Sequence, residues 1–320
     1  MTELVINQKG KKNAAKVKAV VLKKSTKAKT SEKFDAFKAL ASNLQGKYGD
    51  ECGYVLGDKP VIRVPKIATG IPSLDDALRG GVPEGRILEF YGGESCGKTT
   101  AAIQIAAGKQ AKNPDFRVVF IDVESSLDVF YARNLGLDTK SGNTMHLEPE
   151  NGEQALDMME MAIDSKSVDL VILDSISALV PQKELEGDMG DANYGSQAKL
   201  MSQAYRKLVA KAKRSNTTLI LVNQERDNLK SPHGGSITTG GKATKYYASV
   251  RLQFRYIGKI EDTINKEKVQ IGRNIKITIT KNKTGGHAGI STEVPVITDI
   301  GFDCVRDLIN CCVKRGIINK

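Results

Sequence analysis

No apolar run in this chain of 320 residues approaches the roughly 20 residues that a helix needs to cross a bilayer. The first residues lack an apolar core followed by a cleavage site, so no secretory signal is visible. Cysteine is scarce. Cys52, Cys96, Cys304, Cys311 and Cys312 are odd in number and show no metal-ligand spacing, which argues for a reducing compartment and for buried thiols. No internal repeat is visible. These absences lead us to expect a soluble, cytoplasmic protein, in the host cytoplasm if the source is viral.

Charge is abundant but unevenly placed. The formal net charge is +11, yet residues 1–33 hold ten lysines against Glu3 and Glu32, leaving only +3 for the rest. From Met1 to Thr30 the lysines alternate with Ala, Val and Ser without helical or strand period, so a disordered basic arm is expected over 1–30. It is either a solubilising tail or a polycation that attracts duplex DNA through counterion release. The remaining chain, in a sequence 40% hydrophobic, suffices for one large α/β domain.

That domain is organised around Gly92-Gly93-Glu94-Ser95-Cys96-Gly97-Lys98-Thr99-Thr100, which fits the phosphate-loop pattern of Gly, four residues, Gly, Lys and Ser/Thr. The run Ile87 to Tyr91 before it reads as a strand, and Ala101 to Ala111 after it as a helix. Glycines let the backbone turn and aim N–H groups at phosphate oxygens, aided by the helix N-terminus. Lys98 would reach the outer phosphates of ATP, Thr99 would hold Mg²⁺, and Thr100 would touch an inner phosphate.

Further along, Arg117 to Asp122, Val168 to Asp174 and Thr218 to Val222 are short apolar runs, expected as parallel strands buried on both faces. Glu153 to Ile163 and Ala192 to Lys213 read as the helices between them. The alternation predicts a doubly wound, mainly parallel sheet with ligands at the strand C-termini. Val250, Leu252, Phe254 and Tyr256, then Ile275, Ile277 and Ile279, alternate with polar residues and predict an antiparallel extension. A last helix spans Val305 to Arg315. Near the start, Ser31 is a candidate N-cap for a helix whose apolar face is Phe34, Phe37, Leu40, Ala41 and Leu44, ended by Gly46 and Gly49. The residues alone favour packing of that face on its own domain over docking on another copy.

The strand ends carry the candidate chemistry. Asp174 ends an apolar strand where an acid holds the Mg²⁺ shell through water in phosphate-loop proteins. Glu124 lies just past Asp122, placed to polarise an attacking water. Gln224, just past the fourth strand, is a candidate sensor of the γ-phosphate. Lys199 and Arg206, seven apart on a helix, share one face, a solvated basic face or a nucleic-acid contact.

Together these pieces resemble the RecA family of DNA strand-exchange recombinases, of bacterial or bacteriophage type, from about Phe34 to Lys320. The resemblance rests on Gly92 to Thr100, Phe120 to Glu124 with Leu127-Asp128 and Tyr131-Ala132-Arg133, Asp174-Ser175, Glu186 to Asp191, Met201 to Ala204, Asn223-Gln224, Thr239-Gly240-Gly241 and Lys281-Asn282-Lys283. It implies a RecA-like core over 66–303 and the 31–65 helix and linker docking on an adjacent protomer, with 304–320 as a remnant of a C-terminal domain. It makes Glu124 the catalytic carboxylate, sets Asp128 and Tyr131 around the adenine, and sends Lys281 and Lys283 to a neighbour's γ-phosphate. DNA loops fall at about 184–195 and 225–240, with Met189, Tyr194, Lys199, Arg206, Arg226, Gly240 and Gly241 as contacts. The implied partners are single-stranded DNA, double-stranded DNA, further copies in a helical filament, and single-strand-binding and mediator proteins.

Three features depart from the family pattern. Cys96 replaces a serine, His233 stands where many bacterial members have Phe, and the sequence ends where they continue into a small domain and acidic tail. The rival readings are a hexameric helicase of the same superfamily and a regulatory paralogue without turnover. Lys281 and Lys283 argue against the first, and intact Lys98, Glu124 and Asp174 against the second.

Overall fold

A computed structural model describes residues 32–58, 64–187, 195–227, 236–264 and 266–319. The basic arm, Ser31, Met189, Ala192, Tyr194 and His233 lie outside the described residues. The chain divides into two compact units, Met1–Arg63 and Val64–Lys320.

In the first unit, helix α1 (residues 32–48) runs through Gly46 and ends before Gly49, the second of the two expected stops. A single glycine costs a helix only about 1 kcal/mol, whereas Gly49 takes φ 89°, which residues with a side chain rarely adopt. Phe34, Phe37, Leu40 and Leu44 remain 43–55% exposed.

The second unit contains, in order, β1 (Lys66–Ile67), α2 (Pro72–Ala77), β2 (Val82–Pro83), β3 (Ile87–Gly92), α3 (Lys98–Gln110), β4 (Val118–Asp122), α4 (Val129–Asn134), β5 (Thr144–Leu147), α5 (Gly152–Asp164) and β6 (Leu170–Asp174). There follow α6 (Gln182–Leu185), α7 (Ser196–Ser215), β7 (Thr218–Asp227), β8 (Ser236–Thr238), α8 (Gly241–Tyr247), β9 (Val250–Ile264), β10 (Glu267–Asn282), β11 (Ser291–Ile297), β12 (Gly301–Phe302) and α9 (Cys304–Lys314). The main sheet has the order β12-β11-β10-β9-β3-β7-β6-β4-β5, with β8 paired to β7. From β9 to β5 every neighbour is parallel, and β10, β11 and β12 are antiparallel.

Two apolar layers explain why the central strands read as unbroken hydrophobic runs. Leu88, Phe90, Val118, Phe120, Leu170, Ile172 and Ile220 pack with Ala102, Ile103 and Ile105 of α3 on one face. The alternate residues Ile87, Val119, Ile121, Val171, Leu173, Leu219 and Leu221 pack with Leu156 and Met159 of α5 and Tyr205 and Leu208 of α7 on the other. A slip of one residue would exchange the two sets, so burial on both sides pins the register.

Three expectations need correction. Strand β7 continues to Asp227 because Glu225, Arg226 and Asp227 pair with Thr238, Ile237 and Ser236, so Gln224 lies within a strand and the base of the second loop is a ladder. Strand β9 is parallel to β3 on one side and antiparallel to β10 on the other, a tertiary pairing that alternation does not reveal. Only Cys96 is a buried thiol; Cys52 is exposed and the other three are half-buried. Asp303 caps α9 through the Arg306 N–H at 2.9 Å, and buried Asp307 accepts from the Ser73 N–H at 2.7 Å.

At the end of β3 a Cβ on Gly92 would lie 2.0 Å from the Phe254 carbonyl oxygen of β9, whereas one on Gly93 would meet only Cys96 Sγ, at 3.6 Å. Gly92→Ala should therefore destabilise the fold by on the order of 3 kcal/mol through overpacking, and Gly93→Ala should leave it nearly unchanged. Chemical denaturation of the two variants compares them directly; equal midpoints would contradict the packing described.

Candidate functional site

The parallel register brings the candidate side chains to one edge of the sheet. Gly92 pairs with Gln224 and Asp122 with Asp174, so the strand carboxyl ends form a row and the phosphate loop rises from its middle. The loop leads into α3, whose N-cap Gly97 adopts φ 80°, a left-handed geometry that favours glycine. Ser95, Cys96, Gly97, Lys98, Thr99, Thr100, Tyr131, Arg273 and residues 296–299 enclose a cavity of about 310 Å³.

Lys98 is buried against the row, its Nζ donating to the carbonyls of Gly93 at 2.5 Å and Gly92 at 3.3 Å. Burial lowers its pKa, and Cys96, Asp174, Glu124 and Glu94 oppose that shift. Thr99 Oγ1 donates to Asp174 Oδ2 at 2.5 Å. Burial pushes the Asp174 carboxyl up to about 6; the Thr99 bond works against this, and nearby Glu124 adds to it. A buried acid beside a second carboxylate and a hydroxyl suits a divalent cation, so these residues fit Mg²⁺.

Glu124 is exposed at the rim, where Gln224 Nε2 donates to its Oε1 at 3.0 Å and the Ser175 hydroxyl donates to the same oxygen. Ser175 Oγ is in turn 2.5 Å from Ser177 Oγ. The structure thus joins Glu124 and Gln224, 100 residues apart, and adds Ser175, which the sequence offered only inside the Asp174-Ser175 pair. Tyr131 lines the cavity, with its hydroxyl 3.0 Å from Thr100 Oγ1. Asp128 caps α4, accepting from the Phe130 and Tyr131 N–H groups at 2.8 and 3.0 Å.

Arg273 of β10 also lines the cavity. Its guanidinium donates to the Ser95 carbonyl at 2.6 Å across 178 residues, and nothing in the alternation of β10 distinguishes it from other strand charges.

Other candidates lie elsewhere. Lys281 pairs with Arg251, which pairs with Glu89, so Lys281 stands roughly 10 Å short of Gly92 along the strands at about 3.3 Å per residue. Lys281 donates to the carbonyls of Lys245 and Tyr246, the latter at 3.0 Å, and Lys283 to Tyr246 at 3.2 Å. Burial, with Lys283 second, pushes the Lys281 amine down to about 8. Lys199 and Arg206 are exposed on α7, and Arg226 is exposed on β7. Gly240 is buried; added Cβ atoms on Gly240 and Gly241 would approach Ile176 Cγ2 at 2.8 Å and Ala198 Cβ at 2.9 Å. The closeness these glycines permit is between α8, the start of α7 and the segment after β6.

A buried polar network ties the row to the far side of the second loop. Glu89 is fully buried, pairs with Arg251, and accepts from Asn223 Nδ2 at 2.9 Å. Asn223 also donates to the Thr239 carbonyl at 3.1 Å and accepts from the Thr239 hydroxyl at 2.5 Å.

Residues 35–297 match the family described as RecA N-terminal domain. The chain belongs to the RecA family. It is 42% identical to Protein RecA of Chloroherpeton thalassium over 308 residues, covering 96% of this chain and 84% of the relative. To Protein RecA of a Sulfurovum species it is 44% identical over 83% of this chain and 75% of the relative. For the Clostridium acetobutylicum protein the identity is 39%, covering 91% and 81%. The mostly parallel sheet is the fold expected of a RecA-family chain, and among the described residues no helix is long and apolar enough to cross a membrane.

The Asp174 environment has a pH signature. Because its folded pKa of about 6 exceeds the ordinary carboxyl value of 3.8, the folded state binds the extra proton, and wild-type stability is lost as pH rises through 6. Without nucleotide and Mg²⁺, Asp174→Asn should raise the thermal midpoint at pH 7.5, reflecting on the order of 3 kcal/mol. The advantage should shrink between about pH 6 and pH 4. Thermal scans across that range test it, and equal midpoints at pH 7.5 would refute the assignment.

Proposed function

We propose that this RecA-family chain is a DNA-dependent ATPase that assembles with ATP on single-stranded DNA into a helical filament and pairs that strand with a homologous duplex. The observation that carries the reading is the division of charge along the strands of the sheet. Lys98, Thr99, Asp174 and Glu124 stand at the strand carboxyl ends, while Lys281, level with the middle of β3, and Lys283 beyond it lie back towards the opposite ends, short of their own phosphate loop. An ATP site that needs both halves closes only between protomers.

In this reading the loop N–H groups and Lys98 hold the phosphates, and Thr99 and Asp174 hold Mg²⁺. The metal supplies charge neutralisation at the phosphate oxygens. Tyr131 borders the nucleotide beside Thr100, with Asp128 at the same helix end. Glu124 orients the attacking water and accepts its proton, and Gln224, bonded to Glu124, relays the state of the site along β7 into the second loop. Lys281 and Lys283 leave the α8 carbonyls to reach a neighbour's γ-phosphate. Met189, Tyr194, Lys199, Arg206, Arg226, Gly240 and Gly241 serve the DNA strand, and the exposed face of α1 docks on the next protomer. Single-strand-binding and mediator proteins would act on this filament, in the cytoplasm.

The roles separate by mutation. Lys98→Ala should abolish ATP-dependent filament assembly seen by electron microscopy. Glu124→Gln should keep nucleotide binding and filaments while lowering turnover about 10²–10⁴-fold; parent-rate hydrolysis by that variant would overturn its assignment. Lys281→Ala should lose DNA-stimulated hydrolysis yet bind nucleotide. Mixing it with Glu124→Gln should restore partial activity at junctions where both intact halves meet, and no recovery at any ratio would exclude a shared site.

A further inference from the structure

Beside the phosphate-loop site, the ends of β4 and β5 hold a group of side chains to which the proposed ATPase gives no task. In the parallel ladder Phe120 pairs with His146 and Ile121 with Leu147, so Asp122 and Glu148 follow on adjacent chains. Side chains two apart on a strand share a face, and the Phe120 and His146 rings meet on it with centroids 6.3 Å apart. One carboxylate oxygen each from Asp122 and Glu148 and one ring nitrogen of His146 lie within 4.8 Å of one another.

Asp122 is 2% exposed. Its Oδ2 accepts from the Leu127 N–H at 2.8 Å and lies 3.4 Å from His146 Nε2, while its Oδ1 is buried with no hydrogen-bond partner. A buried carboxylate oxygen without a donor carries an uncompensated desolvation cost. A cation held with His146 and Glu148 offsets the desolvation of the Asp122 carboxylate by neutralising its charge, and both of these side chains are open to solvent, so an ion can enter without unfolding.

We propose that Asp122, His146 and Glu148 form a binding site for one divalent transition-metal ion, zinc by class, distinct from the Mg²⁺ position at Thr99 and Asp174. An imidazole among carboxylates favours such an ion over Mg²⁺ or Ca²⁺, which take oxygen ligands. Three protein ligands leave a coordination position for water. The ion would join β5 to β4 and, through the Leu127 bond to Asp122, brace the 123–128 segment that carries Glu124 and Asp128.

Zinc chloride titrated calorimetrically into the full-length, chelator-treated, nucleotide-free protein tests this independently of any recombinase activity. One saturable ion per chain is expected, with zinc raising the thermal midpoint. His146→Ala and Glu148→Gln should each weaken binding at least about tenfold and remove that rise, while their metal-free melting and ATP binding stay at the parent level. Cobalt(II) bound in place of zinc should show ligand-field absorption without a thiolate charge-transfer band. Absence of saturable binding, parental zinc affinity in both variants, or a thiolate spectrum from the cysteines would overturn the site.

Discussion

The buried ion pair between Glu89 and Arg251 is the constraint on which the functional edge depends. Glu89 sits in the middle of β3 with no exposure, in a sheet covered by helices on the core side of both faces. Its charge is tolerable only because Arg251 of β9 and Asn223 of β7 meet it from the two neighbouring strands. Removing one partner of such a pair leaves an unpaired charge in the interior, a loss typically of about 3–5 kcal/mol. The network therefore fixes β9, β3 and β7 against one another, and through Asn223 it also holds Thr239, the residue that precedes the α8 glycines.

That coupling has a directional consequence. Gln224 follows Asn223 on the same strand, so the side chain that touches Glu124 and the one that holds Thr239 are neighbours with opposite facing. A shift of β7 large enough to move Gln224 would strain the bonds to Thr239, and displacement of Thr239 would act back on Gln224. Tight packing of Gly240 on Ile176 and Gly241 on Ala198 leaves the start of α8 little room to absorb such a shift. At its other end α8 offers carbonyls to Lys281 and Lys283, so one short helix lies between the second loop and the lysines proposed to act in trans.

Electrostatics at the row point the same way. Asp122, Glu124 and Asp174 crowd one edge, and Lys98 alone does not balance them: Asp174 retains a carboxyl raised to about 6 chiefly by burial. With no ligand bound, burial makes Asp174 hold its proton more tightly than an exposed carboxyl does. In the proposed reading, cations and phosphates together would offset this mismatch.

What the sequence determined by itself was the local code. Glycines and Lys98 at fixed offsets, apolar runs too short for helices, and acids at their ends are short-range patterns, and they sufficed for the strand, turn and helix around Lys98, the central strands and the place of Asp174 at a strand end. The family match then agreed with the reading from motifs. Tertiary structure alone decided what depends on pairing across long separations. Arg273 reaches Ser95 over 178 residues, β9 runs parallel to β3, β7 extends because β8 returns beside it, and His146 meets the buried carboxylate of Asp122 at Oδ2. None of these leaves a periodic signal, because a side chain's neighbours across a sheet are set by strand order and register, and those follow from burying both faces at once rather than from any local run of residues.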